Sequence, residues 1–166
     1  MIIRKTEDYG LHLTLDGYGG SQKKLYDMKH VFKALNDLPS IIGMSKLTTP
    51  YVVDAPPITP KDEGGISGFV MISESHISIH TYPFKGFVTA DVYSCKVFDT
   101  EKTVEFFKKH FALRELEINI IRRGLKFPKV ETQKEETNVN INQILLPKTL
   151  RTRNHHYQFI TTQSAS

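Results

Sequence analysis

Alternation of apolar and polar side chains with period two recurs along this chain, and it limits the possible folds more than any other feature. In residues 9–16, Leu11, Leu13 and Leu15 alternate with His12, Thr14 and Asp16. In residues 66–73, Ile66, Gly68, Val70 and Ile72 alternate with Ser67, Phe69, Met71 and Ser73. Residues 77–82 form another such run. In residues 87–95, Val88, Ala90 and Val92 oppose Thr89, Asp91, Tyr93 and Cys95. Leu116, Ile118 and Ile120 alternate with Glu115, Glu117 and Asn119. Strand side chains repeat every two residues, so each run offers one face to a core. Ile41 and Ile42, then Tyr51, Val52 and Val53, suggest one or two further strands between residues 41 and 54, separated by Thr48, Thr49 and Pro50.

Two stretches carry a helical period instead. Over residues 22–38, Leu25, Met28, Val31, Phe32, Leu35 and Leu38 recur at three- and four-residue spacing, with Lys23, Lys24, Lys29 and Lys33 on the remainder. Ser21 fits an N-cap and Pro39 a stop. A basic amphipathic helix can lie on a membrane, but packing on a sheet is the commoner use of such a stripe. Asp99 or Thr100 caps a second helix to about residue 113, with Val104, Phe107 and Phe111 along one side. Strand runs joined by few helices predict an α+β fold, a two-layer sandwich with helices on one face of an antiparallel sheet.

The length of 166 residues suits a single domain, 1–166, with a substantial core. A net charge of +4 gives no sign of nucleic-acid binding. The single cysteine excludes an internal disulfide framework and fits a reducing cytoplasm. The opening residues turn charged at Arg4 and lack the long apolar core of a signal peptide, and no run approaches the roughly 20 apolar residues of a membrane span. Residues 125–166 read as a C-terminal extension. Its parts are a polar arm over 126–137, an apolar Ile144, Leu145, Leu146 run and a basic aromatic patch of Arg151, Arg153, His155, His156, Tyr157 and Phe159. A solvated tail is the commoner use of such a patch than a nucleic-acid site.

The chemistry concentrates in residues 73–95. A Glu74-Ser75 bond precedes two histidines, His76 and His80, in a strand-like run, and the only cysteine, Cys95, follows. Serine, histidine and cysteine make and break acyl bonds and move protons near neutral pH. Two histidines four apart on a strand share one face, but no third ligand accompanies them, so no metal is expected. No Gly-x-Ser-x-Gly elbow surrounds Ser75, which argues against a hydrolase of that type. Glu74 and Ser75 fall between two strands, where a strained turn would hold a bond due to rearrange.

The run Glu74-Ser75-His76-Ile77-Ser78-Ile79-His80-Thr81, with Pro83, Gly86, Asp91 and Cys95 behind it and Gly65-Ile66-Ser67-Gly68 ahead, resembles the processing site of the prokaryotic S-adenosylmethionine decarboxylase proenzymes. The resemblance covers roughly residues 64–95 and implies a self-made cofactor. Ser75 attacks the Glu74 carbonyl and converts the amide to an ester. Elimination gives dehydroalanine, and hydrolysis leaves a pyruvoyl group at the new N-terminus. The products are a β chain, 1–74, and a pyruvoyl α chain, 75–166. The resemblance gives Ser67 a supporting role in processing, and His80 the proton transfer, which suits a side chain with both protonation states accessible. The pyruvoyl carbonyl then forms a Schiff base with the substrate amine and accepts the electrons left by carbon dioxide. Cys95 is the implied proton donor. The family's architecture is the α+β sandwich, its small protomers pair as homodimers, and its product supplies the aminopropyl donor of spermidine synthesis.

The chain departs from the family's motif around the substrate. Tyr82 stands where tryptophan is usual and keeps an aromatic ring. Phe84 replaces a glutamate that helps hold the nucleoside. An aromatic ring usual before the Gly-x-Ser-Gly run is replaced by Thr59-Pro60-Lys61-Asp62-Glu63. Glu74, Tyr82, Phe84, Asp62 and Glu63 are the candidate substrate-binding residues. Asp62 and Glu63 would suit a cationic side chain, so a pyruvoyl-dependent arginine or ornithine decarboxylase is the alternative. An unprocessed, non-catalytic partner of an active enzyme is a third reading, which the intact Ser75, His80 and Cys95 set disfavours.

Overall fold

The structure, a computed structural model, describes residues 8–127. The Ile144, Leu145, Leu146 run and the basic aromatic patch fall outside them. All described residues belong to one compact unit, which ends at Pro128.

The period-two runs form strands β1 (Gly10–Tyr18), β2 (Tyr51–Ala55), β3 (Gly65–Ile72), β4 (Ser75–Tyr82), β5 (Phe87–Ser94) and β6 (Glu115–Arg123). They make one six-stranded antiparallel sheet in the order β2-β3-β4-β5-β1-β6. Leu13, Leu15, Val70, Ile72, Ile77, Ile79, Val88, Ala90 and Val92 all turn to one face and are buried there. Helices α1 (Gln22–Leu25), α2 (Met28–Ile41) and α3 (Thr100–Phe111) pack on it; α2 covers β3 and β4, while α3 lies against β1. Val31, Leu35, Leu38, Phe107 and Phe111 close this single core. The α+β sandwich expected from the sequence is the observed fold.

Four local expectations are corrected. The stretch 22–38 is two helices, because Asp27 caps a new one: its carboxylate accepts from the Lys29 and His30 amides at 2.9 and 3.2 Å. Met28 and Phe32 consequently fall on the exposed side of α2. Pro39 sits inside α2, which runs on to Ile41. Burial of Leu38 and Pro39 against the core outweighs the one amide bond that proline forfeits. Ile41 and Ile42 therefore end a helix rather than begin a strand. On β6, Ile118 and Ile120 are 40% and 53% exposed, because this edge strand extends past the cover of the helices.

Two histidines pin α2 to α3. His30 Nε2 donates to the His110 carbonyl at 2.8 Å, His110 Nε2 donates to the His30 carbonyl at 2.9 Å, and the rings stack 3.8 Å apart. Between β4 and β5 a short 3₁₀ turn (Pro83–Lys85) ends on Gly86, whose φ of 60° is one that glycine adopts without strain.

Candidate active site

No described helix covers the other face of the sheet. The polar members of the alternating runs stand there. Ser67 lies opposite His80, His76 opposite Tyr93, and Ser78 opposite Asp91, which is in turn flanked by His12 at 3.0 Å. Polar residues gather on this face because the apolar half of each alternation is committed to the helices.

The Glu74-Ser75 bond occupies the turn of the β3–β4 hairpin. Ile72 pairs with Ser75, leaving Ser73 and Glu74 as a two-residue loop. Such loops favour glycine or asparagine at positive φ, and neither residue type is present here. The unusual torsion falls instead on Ser75, whose φ is 156°. For a residue with a side chain this costs on the order of 1–3 kcal/mol, and it persists only where neighbours enforce it. They do so on both sides. The Ser73 amide donates to the Ser45 carbonyl at 2.8 Å, and Leu47 donates to the Met71 carbonyl at 2.9 Å. On the other side, the Cys95 amide donates to the Glu74 carbonyl at 3.0 Å.

That last contact aims a donor at the carbonyl oxygen of the Glu74-Ser75 bond. Ser94 sets it up. Buried at the end of β5, its hydroxyl donates to the Lys96 carbonyl at 2.7 Å and accepts from the Lys96 amide at 2.9 Å. This closes a turn that holds the Cys95 amide toward Glu74. Cys95 itself is exposed and a free thiol. The Ser75 hydroxyl lies 3.1 Å from His76 Nδ1. Glu74, Ser75, His76 and Cys95 thus form one cluster at the hairpin end, and the Glu74 carboxylate reaches the Ser45 amide at 3.4 Å.

Ser67 and His80 form a second cluster. Ser67 Oγ and His80 Nδ1 are 2.9 Å apart, facing each other across β3 and β4. His80 is five residues along β4 from Ser75, about 16 Å at the strand rise. Within one protomer these clusters do not meet, and the Glu74 carbonyl is bonded by the Cys95 amide rather than by Ser67.

Apart from Glu74, which forms the turn itself, the candidate substrate residues are farther still from the hairpin turn. Glu63 and Phe84 line a cleft of about 380 Å³ with Tyr26 and Asp54, beside Gly65 at the far end of β3. That is about 23 Å from the hairpin turn at the strand rise. Phe84 packs near Tyr26, with ring centroids 5.9 Å apart, and Tyr82 stacks toward Phe87 at 5.5 Å. The Asp62 carboxylate accepts from the Gly64 amide at 3.0 Å and so shapes its own loop. The sequence reading singled out His76 but gave it no role, and it missed the Cys95 amide. Adjacency to Ser75 was a usable signal for His76; the amide's role depends on the β4–β5 register.

Residues 11–124 match the family model described as S-adenosylmethionine decarboxylase. The chain belongs to this family. A curated relative, the S-adenosylmethionine decarboxylase proenzyme of Clostridium botulinum strain Langeland, is 30% identical over 116 residues, which span 69% of this chain and 94% of that protein. The proenzyme of Pyrococcus abyssi is 41% identical over 63 residues, 37% of this chain and 45% of the relative. The crystal structure of the adenosylmethionine decarboxylase from Aquifex aeolicus shares the fold, with a TM-score of 0.59 and 24% identity over 78% of this chain and 99% of that one. Among the described residues no helix is long and apolar enough to cross a membrane.

Proposed function

We propose that this chain is a proenzyme that cuts itself between Glu74 and Ser75 and becomes a pyruvoyl-dependent S-adenosylmethionine decarboxylase. The observation that carries the cleavage is the strained, clamped Ser75 at the hairpin turn, its preceding carbonyl already accepting the Cys95 amide. A preorganised donor of this kind is worth about 3–4 kcal/mol when charge develops on the oxygen. Cleavage yields residues 1–74 and 75–166, and the chain starting at residue 75 carries the cofactor.

The residues present fit a pyruvoyl group, since the serine that must become it follows the polarised carbonyl directly. When formed, the group supplies an electron sink for decarboxylation. Around it, Cys95 returns a proton to the substrate carbon. His80, held by Ser67, removes the α-proton of residue 75 after the ester has formed. The relatives' names favour S-adenosylmethionine over arginine or ornithine as the substrate, and the product would feed spermidine synthesis in the cytoplasm.

The distance between the two clusters supports a homodimer. A two-fold pairing of the helix-free faces would bring Ser67 and His80 of one protomer over Ser75 and Cys95 of its partner, twice per dimer. Tyr82 and the Glu63–Phe84 cleft would approach the partner's hairpin in the same way.

The test is release of carbon dioxide from carboxyl-labelled S-adenosylmethionine, arginine and ornithine by the processed protein. Turnover of the first alone is expected. Turnover of arginine or ornithine in its place would overturn the substrate assignment.

A further inference from the structure

Within its own protomer, the first proton transfer of self-cleavage has a base other than His80. The Ser75 hydroxyl must lose its proton as it attacks. Its recorded side-chain partner is His76, with Nδ1 at 3.1 Å, inside hydrogen-bonding distance. His80 of the same protomer lies about 16 Å along the strand, and the His80 that a dimer would bring over Ser75 has its Nδ1 engaged with Ser67. The Glu74 carboxylate is turned to the Ser45 amide.

The His76 ring is also braced. It meets the Tyr93 ring edge-on, with centroids 5.8 Å apart. Tyr93 is itself fixed by the Arg123 guanidinium, 4.3 Å above its ring, and by the His12 ring at 5.6 Å. His12 is anchored on Asp91 at 3.0 Å. Four neighbouring strands therefore set the orientation of one exposed imidazole beside the nucleophile. A solvated histidine on a sheet surface has no need of such bracing.

We infer that His76 is the catalytic base and acid of the acyl shift, while His80 serves only the later elimination. With the imidazole proton on Nε2, the Ser75 hydroxyl donates to Nδ1. Its proton passes to Nδ1 as the Oγ–C bond to Glu74 forms, and the negative charge on the former carbonyl oxygen is held by the Cys95 amide. The C–N bond between residues 74 and 75 then breaks, and Nδ1 returns the same proton to the departing nitrogen of Ser75. Amide and hydroxyl become ester and amine, with no net proton taken up or released. Oγ and the nitrogen belong to one residue and close a five-membered ring in the intermediate, so one imidazole serves both transfers. This assignment rests on the self-cleavage reading.

The experiment uses the full-length chain made in a cell-free system and sampled over time, with and without hydroxylamine, which cuts an ester at this position but not an amide. Wild type should cut. His80→Ala should accumulate a hydroxylamine-sensitive ester. His76→Ala and His76→Gln should stay full length and resist hydroxylamine, with cleavage slowed at least about 100-fold, the lower end of the range for general acid–base catalysis. Added imidazole should restore cleavage to His76→Ala, a rescue that repairs proton transfer and not folding. His76 variants that cut within about threefold of wild type, or that build up ester as His80→Ala does, would overturn the inference and leave self-cleavage standing. An uncut wild type would overturn both.

Discussion

The two faces of the sheet are built from the same six strands and do different work. On the helix-covered face, Leu13, Ile77, Ile79, Val88 and Val92 are fully buried, and their neighbours are Phe107, Phe111 and other apolar side chains. On the helix-free face, Ser67 with His80, His76 with Tyr93, and Asp91 with His12 pair through polar and aromatic contacts. One face holds the molecule together by burial, and the other carries the groups proposed to move protons. The difference teaches that stability and the proposed self-cleavage should be separable residue by residue, although the residues alternate along a single strand. His76 and Ile77 are neighbours in sequence and belong to opposite functions.

Substitutions on each face sharpen this contrast. Ser75→Ala removes the nucleophile and should abolish cleavage outright on denaturing gels, with stability moved by no more than about 0.5 kcal/mol. Phe107→Ala should do the reverse. Emptying a fully buried ring site costs about 3–5 kcal/mol, measurable by urea denaturation, while the fraction that remains folded still cuts itself. Loss of cleavage in folded Phe107→Ala would break the separation of the faces.

Much of this division was legible in the sequence. Period two assigned β1, β3 and β5 with their inward residues, and most of β4, since burial on one face leaves little freedom of register. The break between α1 and α2 was not legible, because the apolar spacing runs through it and only the carboxylate of Asp27 interrupts it. Ser75, His80 and Cys95 stood out through a resemblance. That resemblance could not say that Ser75 and His80 lie apart, although five residues on one strand imply it. The Cys95 amide could not have been found at all, because it depends on the pairing of β4 with β5.

Smaller effects refine the comparison. Ser67→Ala deletes a half-exposed hydrogen bond to His80 and should cost no more than about 1 kcal/mol of stability. Cleavage should nevertheless slow about tenfold at the elimination step, visible as transient ester. The smallest expected effect comes from the helical layer. Burial holds His110 below the ordinary histidine range, against the opposing pull of its bond to the His30 carbonyl. Nearby positive charge from His30, Lys24 and Lys33 adds to the depression. The unfolded chain therefore binds this proton more readily. Stability should fall as pH drops below about 6.5, the unfolded value. His110→Gln should flatten that part of the melting-temperature profile without changing the cleavage products.

The central claim, that the clamped Ser75 converts its own peptide bond into a cofactor, is tested most directly by intact mass spectrometry of the purified full-length chain. The account predicts two masses, residues 1–74 and residues 75–166, the second lighter than a serine-started chain by one ammonia, and both absent from Ser75→Ala. A single full-length mass that persists on long incubation would contradict it.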